Sequence, residues 1–314
     1  DALRRIGKLD VPDPPIVPAP CDLGYRTKIT LHPSPDGRRI GLHPLDRADD
    51  VFDLRWCHIT MPALMETWSV VSRNRRMLPD QLEHLVLRLD RSGGRHVLAR
   101  VRGTAQWTRA SEMARALNDG GAAATLWWQP EGGAARAVAG SDEAFPATVF
   151  EQIHPAMGDR ARTAAIDALG AVRGRHVWDL YAGIGDTTER LADLGASVES
   201  VESDARAVAY AERHGVLDRT RVVRHTARVE DALGELREPA LVVTNPPRTG
   251  MDERVTAALA ERAPERIVYI SCDPATLARD IARLGGRYRV AGVEAFDLFP
   301  QTAHIESVTT LERT

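Results

Sequence analysis

Apolar and polar residues alternate with period two in "YRTKITLHP" (25–33) and "RIGLHP" (39–44), on either side of "SPDGR", which predicts two strands joined by a turn. "LEHLVLRLD" and "RHVLARVRG" repeat the arrangement around "RSGG", and "ATLWWQP" reads as another strand. Three- and four-residue apolar spacing in "ALMETWSVVSRNRR" (63–76) and "ASEMARALN" predicts two helices. Residues 1–145 are therefore expected to form an α+β domain dominated by antiparallel strands. After the glycine-rich "PEGGAARAVAG" the rhythm changes. Short apolar runs ("HVWDLYAG", "SVESVES", "RVVRH", "ALVVTNPP", "RIVYISC") now alternate with helical stretches ("PAMGDRARTAAIDALG", "DTTERLADLG", "DARAVAYAERHG", "DERVTAALAERA", "PATLARDIARLGG"). Strand–helix alternation predicts a doubly wound, parallel α/β sheet over residues 146–314. "YRVAGVEAFDLF" and "HIESVTTLER" are expected to close it as an antiparallel hairpin.

Residues 10–20, "DVPDPPIVPAP", carry five prolines and read as a linker, since proline fits neither a helix interior nor a central strand. The opening "DALRRIGKL" has helical spacing without an initiator Met or a cap, so a helix cut mid-course is expected, with more protein upstream. No apolar run is long enough to span a bilayer, and nothing at the start has the charge and apolar order of a secretion leader. A reducing cytoplasm and a monomer are the expected setting. Net charge is −3, from +2 over residues 1–150 and −5 over 151–314, so no global basic signature marks a nucleic-acid partner. Cysteines at 21, 57 and 272 make no close pair, which excludes a disulfide framework and a complete cysteine zinc site.

The candidate chemistry lies at strand ends. "VWDLYAGIGDTTERLA" sets Gly183 and Gly185 between a strand and a helix, where backbone can approach a ligand at the carboxyl edge of the sheet. The third glycine of a dinucleotide fingerprint is absent. Asp179 and Asp186 would repel a phosphate, so a ligand with a cationic or neutral polar end fits better. Glu202, 17 residues beyond Gly185 at the next strand's end, is placed to take a ribose diol. Together these suggest S-adenosylmethionine. "VVTNPPRTG" ends a buried strand with Asn245, whose amide offers a donor and an acceptor to the edge of a planar base. Cys272 follows the next strand and precedes a helix, a positive and exposed place expected to lower the thiol pKa and favour a nucleophilic thiolate. Near the end, Thr302, His304 and Glu306 are expected to alternate along one strand face. A carboxyl at Glu306 in an apolar strand would have a raised pKa, which suits a base.

"VFEQIHPAM", "DLYAGIGDTT", "NPPRTG", "YISCDPATLARD" and "FPQTAHIES" resemble, in order and spacing, the S-adenosylmethionine-dependent RNA uracil-C5 methyltransferases; "GYRTKITL" and "DLRWCHI" extend the likeness more loosely toward the start. The resemblance implies a Rossmann-like class I methyltransferase domain, with Cys272 as nucleophile and Glu306 as base. It puts Gln152, Tyr181, Asp186, Glu202 and Asn245 at cofactor contacts, and Phe150 and Arg248 at the substrate, Phe150 stacking on a flipped base. Asn245 and Asp186 stand where the family commonly has Asp and Asn, and Glu151 replaces an apolar residue. RNA is the implied partner, ribosomal RNA ahead of transfer RNA, with a catalytically silent RNA-binding protein as the reading from another class. Cys57 sits where many members place the fourth ligand of an iron–sulfur cluster. Their close cysteine triplet is absent from this sequence, so no cluster is expected in this chain; a longer parent with upstream cysteines could carry one.

Overall fold

A computed structural model describes residues 2–141, 149, 151–215 and 220–314. The chain divides into two units. One joins residues 1–20 to 149–314, and the other spans 21–148. The first elements are a short helix α1 (Ala2–Arg5) and a two-residue strand β1 (Ile16–Val17).

In the second unit, β2 (Lys28–Pro33), β3 (Ile40–Leu42), β4 (Phe52–Asp53), β5 (Leu82–Leu89), β6 (Arg95–Val101), β7 (Ala124–Gln129) and β8 (Arg136–Ala139) form a sheet in the order β4-β3-β2-β5-β6-β7-β8. All neighbours pair antiparallel except β6 and β7. The period-two pattern places Leu31, Leu85, Leu87, Val97 and Leu126 in one core with Leu64, Trp68, Met113 and Leu117. The last four lie on helices α2 (Pro62–Arg73) and α3 (Ala110–Asp119).

The first unit continues with α4 (Pro155–Leu169), β9 (His176–Leu180), α5 (Asp186–Asp193), β10 (Ser197–Glu202), α6 (Ala205–His214), β11 (Val222–Thr226), α7 (Val229–Ala232), β12 (Leu241–Thr244), α8 (Glu253–Arg262), β13 (Arg266–Ser271), α9 (Pro274–Arg283), β14 (Tyr288–Phe296) and β15 (Glu306–Arg313). Its sheet runs β1-β14-β15-β13-β12-β9-β10-β11. From β13 to β11 the strands are parallel, and β15 lies antiparallel between β13 and β14. The central parallel strands β9, β12 and β13 are buried on both faces, which is why Val177, Trp178, Val242, Val243, Ile267 and Val268 read as unbroken apolar runs. Chain order reverses between β9 and β12. That switch point opens a crevice beyond the carboxyl ends of the strands.

Two expectations are corrected. The proline-rich stretch is not only a linker. Ile16 and Val17 pair parallel with Ala295 and Phe296 at the sheet edge, and Pro15 O accepts from Ala295 N. An edge strand bonds on one side only, so prolines on either side of a two-residue pair are tolerated. With Leu3 and Leu9 packed beside the core of the same unit, residues 1–20 group with 149–314 and not with 21–148. The second correction concerns "FPQTAHIES". Strand β15 begins at Glu306, and residues 297–305 are outside any strand, with turns and bends at 299–303, so Thr302 and His304 share no strand face with Glu306. Thr302 bonds back to Phe299 O, and Gln301 takes φ 64°, a local turn that ends extension.

Candidate active site

Strand order dictates the site. Tyr181 follows β9, Glu202 ends β10, Asn245 follows β12 and Cys272 follows β13, all at the carboxyl edge. β15 runs the other way, so its first residue, Glu306, arrives at that same edge. Read across the sheet, the row is Glu306, Cys272, Asn245, Tyr181, Glu202. These residues, with Gln152 and Arg248, line one cleft of about 970 Å³, at the upper end of ordinary ligand pockets. Among the described residues no helix is long and apolar enough to cross a membrane.

The β13–β15 ladder ends with Ser271 opposite Ser307, and Ser307 Oγ donates to Ser271 O at 3.2 Å. One step further along that register Cys272 and Glu306 face each other, and side chains at opposed antiparallel positions share a face. Glu306 is 2% exposed, and its Oε2 is buried with no hydrogen-bond partner. Burial raises its pKa from 4.5 to about 7, against a smaller downward pull from Arg248. The carboxyl is poised to exchange a proton near neutrality.

Cys272 departs from expectation. Its thiol pKa is raised, not lowered. Half-burial is the largest cause and the facing Glu306 carboxylate the second. The charge and hydrogen bond of Arg248 oppose both. The helix after Cys272 does begin there, but Asp273 caps it, accepting from Ala275 N and Thr276 N at 2.9 Å, so those donors are not offered to sulfur. Arg248 is the cation that favours the thiolate.

On the far side of the cleft, Glu202 Oε2 accepts from Gly183 N at 2.9 Å, while Oε1 accepts from Asp204 N at 2.8 Å and Ser203 Oγ at 3.3 Å. The carboxylate is held rigidly by the glycine turn and keeps acceptor capacity toward the cleft. Gly183 has φ 57°, and a Cβ there would meet nothing within 4 Å, so backbone faces open space. Tyr181 also has positive φ, 62°, uncommon for a residue with a side chain. Its phenol is pushed up by burial and by Glu230.

The two aspartates of the glycine turn lie apart from the cleft lining. Asp179 is buried, accepts from Thr188 Oγ1 at 2.5 Å, and has a pKa raised to about 7 by burial. It stitches β9 to α5 in place of greeting a cation. Asp186 opens α5, and its carboxylate lies 3.7 Å from Arg162 on α4. Phe150 lies outside the described residues. Cys57 is half-buried beside the core of the second unit.

Sequence reasoning passed over Phe299, Arg228, Glu230, Arg279 and Arg283, which also line the cleft. It passed over Asp280 beneath them as well, although a carboxylate beside Leu277 and Ile281 on the buried stripe of a helix is a legible signal.

Residues 145–314 match the family model described as tRNA (uracil-5-)-methyltransferase. An RNA methyltransferase of Corynebacterium efficiens is 33% identical over 322 residues, covering all of this chain and 72% of the relative. The chain belongs to the tRNA (uracil-5-)-methyltransferase family. Its activity is that class of RNA (uracil-5-)-methyl transfer, and its fold that of the class I methyltransferases. A 23S rRNA (uracil(747)-C(5))-methyltransferase of Shewanella loihica is 34% identical over 169 residues, 52% of this chain and 44% of the relative. A crystal structure of a Pyrococcus abyssi tRNA (uracil-54, C5)-methyltransferase with S-adenosyl-L-homocysteine superposes with a TM-score of 0.73 over 98% of this chain and 80% of that one, at 21% identity.

Proposed function

We propose that this methyltransferase works through a covalent adduct between Cys272 and C6 of the target uracil. The observation that carries the reading is the convergence of Cys272 and Glu306 where the β13–β15 ladder ends at Ser271 and Ser307, with Glu306 buried and its Oε2 lacking a hydrogen-bond partner. Uracil C5 is a weak carbon nucleophile until electrons enter the ring at C6. The Cys272 thiolate, stabilised by Arg248, forms the S–C6 bond, and the C5=C6 π pair moves toward O4 as an enolate. S-adenosylmethionine, when bound, would supply an electrophilic methyl group to C5, its methyl–sulfur bond breaking to leave S-adenosylhomocysteine. Glu306 then takes the proton from C5, the C5–H pair re-forms C5=C6, and the thiolate leaves. Splitting the reaction this way replaces one hard step by easier ones. The uridine has to leave its stack to enter the cleft.

The donor set suits that cofactor. Glu202 would take its ribose hydroxyls, and the apolar Val201, Ala227 and Val229 beside it would take a purine. Gln152, Tyr181 and Asn245 are the remaining polar contacts, and Asp186 would act only from behind the glycine turn. Glu202→Ala is expected to weaken S-adenosylmethionine binding by roughly 1.5–3 kcal/mol, the scale of hydrogen bonds to a charged group. Isothermal calorimetry returning an unchanged affinity would remove the ribose assignment.

Ribosomal RNA is the proposed target. The relative from Shewanella loihica, named for 23S rRNA, is 34% identical over 52% of this chain, against 21% over 98% of it for the transfer-RNA enzyme from Pyrococcus abyssi. The test offers fragments of both RNAs with a labelled methyl donor, followed by nuclease digestion and mass analysis for 5-methyluridine. The same RNAs carrying 5-fluorouridine should trap a protein–RNA band on a denaturing gel, since fluorine cannot leave C5 as a cation. Incorporation only into transfer RNA overturns the target. Absence of a trapped band overturns the adduct, and no incorporation at all favours a silent RNA-binding protein.

A further inference from the structure

Asp280 is fully buried and takes no part in the chemistry above. Its carboxylate is nonetheless heavily bonded beside the cleft. Oδ2 accepts from Met251 N at 2.7 Å and from the Tyr269 hydroxyl at 2.8 Å. Oδ1 accepts from Arg279 Nε at 3.0 Å and Nη2 at 2.8 Å, and more distantly from Arg283. The same Nη2 of Arg279 donates to Thr249 O at 2.7 Å. Both ends of the 249–251 backbone are thus tied to α9.

That backbone is the far side of a tight turn. Gly250 N bonds Pro247 O at 2.8 Å, so Arg248 and Thr249 are its central residues. Gly250 has φ 78°, and a Cβ there would lie 2.4 Å from Arg279 Nη2 and 2.5 Å from Asp280 Oδ2. The absence of a side chain is what lets the turn sit against the carboxylate. Arg248 itself is exposed, and this turn sets the direction in which its side chain leaves the backbone. A long arginine on an unclamped loop would spread over many rotamers.

We propose that Asp280 is a positioning residue: with Arg279 it clamps the Pro247–Gly250 turn and so holds the Arg248 guanidinium against the Cys272 thiol. The inference rests on the reading of Cys272 as the nucleophile, and it acts only through Arg248. It has no contact with substrate of its own.

The test reads the thiol directly. The whole chain, without RNA or cofactor, is alkylated with iodoacetamide across a pH series, and the Cys272 peptide is quantified by mass spectrometry, which separates it from Cys21 and Cys57. Asp280→Asn should move the Cys272 profile to higher pH. It should lower kcat for methylation by about tenfold to a hundredfold, the scale of a misplaced catalytic group, with KM for S-adenosylmethionine within about twofold. Arg248→Gln should move the profile the same way. Because both act through one guanidinium, the double variant should shift no further than Arg248→Gln alone. Should Asp280→Asn fail to fold, Arg279→Gln, which releases Thr249 O but leaves the buried carboxylate its other donors, carries the same expectation with a smaller shift. An unmoved alkylation profile in a folded variant, or shifts that add in the double, overturns the positioning role. A profile that moves as expected while Cys272→Ala still methylates RNA overturns the nucleophile reading instead.

Discussion

Cys272→Ala is expected to remove methylation altogether, a fall on the order of 10⁴–10⁶-fold, the scale reached when a covalent nucleophile is lost. The variant should also give no trapped band with 5-fluorouridine RNA, because no sulfur remains to bond C6. The side chain removed is small and half-buried, so folding should survive, and S-adenosylmethionine should bind as before since Glu202 lies on a different strand. The raised thiol pKa adds a condition. The thiolate forms more readily while Glu306 holds its proton, because the carboxylate's charge is the second cause of the upward shift. Adduct formation should therefore be measured against pH beside methylation. Full methylation by Cys272→Ala would mean direct transfer without an adduct, as a small-molecule methyltransferase would manage it.

The parallel sheet was legible because its central strands are buried on both faces and its strands are separated by amphipathic helices, so residue pattern and topology carry the same information. The positions of Cys272 and Asn245 at strand ends followed from that pattern, and motif spacing supplied their order. Electrostatics at the site were less legible. A thiol before a helix reads as activated, but Asp273 consumes the helix's first donors and Glu306 arrives from a strand thirty-four residues further on. Sequence neighbours do not reveal which charge faces which across an antiparallel ladder. The surroundings of Asp179 and Asp186 were hard to read for a related reason. In sequence they flank a glycine turn, whereas in space one is buried against Thr188 and the other lies near Arg162.

The edge of the sheet was the least legible region. Five prolines argued against strand, and that argument is right for a central position and wrong for a two-residue edge pair. The extended reading of Thr302 to Glu306 failed in the opposite direction. Alternation of polar and apolar residues continued back through a segment that the backbone turns. Asp280 was passed over because the motif around Cys272 draws attention to the cysteine, while the residue eight positions later governs the loop opposite.

Glu306→Gln is expected to separate the two halves of the reaction. The amide keeps the size of the carboxyl but cannot accept the proton from C5, so methyl transfer should proceed once and the methylated adduct should persist as a shifted band with ordinary, unfluorinated RNA. In the unsubstituted enzyme the base must be ionised to act, and its pKa of about 7 makes adduct release fall about tenfold per pH unit below neutrality. A methylated adduct formed beforehand should therefore be released more slowly by the unsubstituted enzyme at pH 6 than at pH 7. Stability moves the other way. The folded state holds the Glu306 proton more tightly than the unfolded chain, 7 against 4.5, so it binds more protons between those values and loses stability as pH rises through them. Glutamine carries no such titration. The variant should gain on the parent from pH 5 to 7, by up to roughly 3 kcal/mol, and Asp179, present in both, cancels from the difference. A variant that is more stable above pH 7, inactive in turnover and trapped on RNA has lost a base and nothing else. Loss of methylation with no trapped band in a folded Glu306→Gln would assign the C5 proton to another group, and His304, six Å from Phe299 by ring centroid at the cleft's rim, would be the next residue to replace.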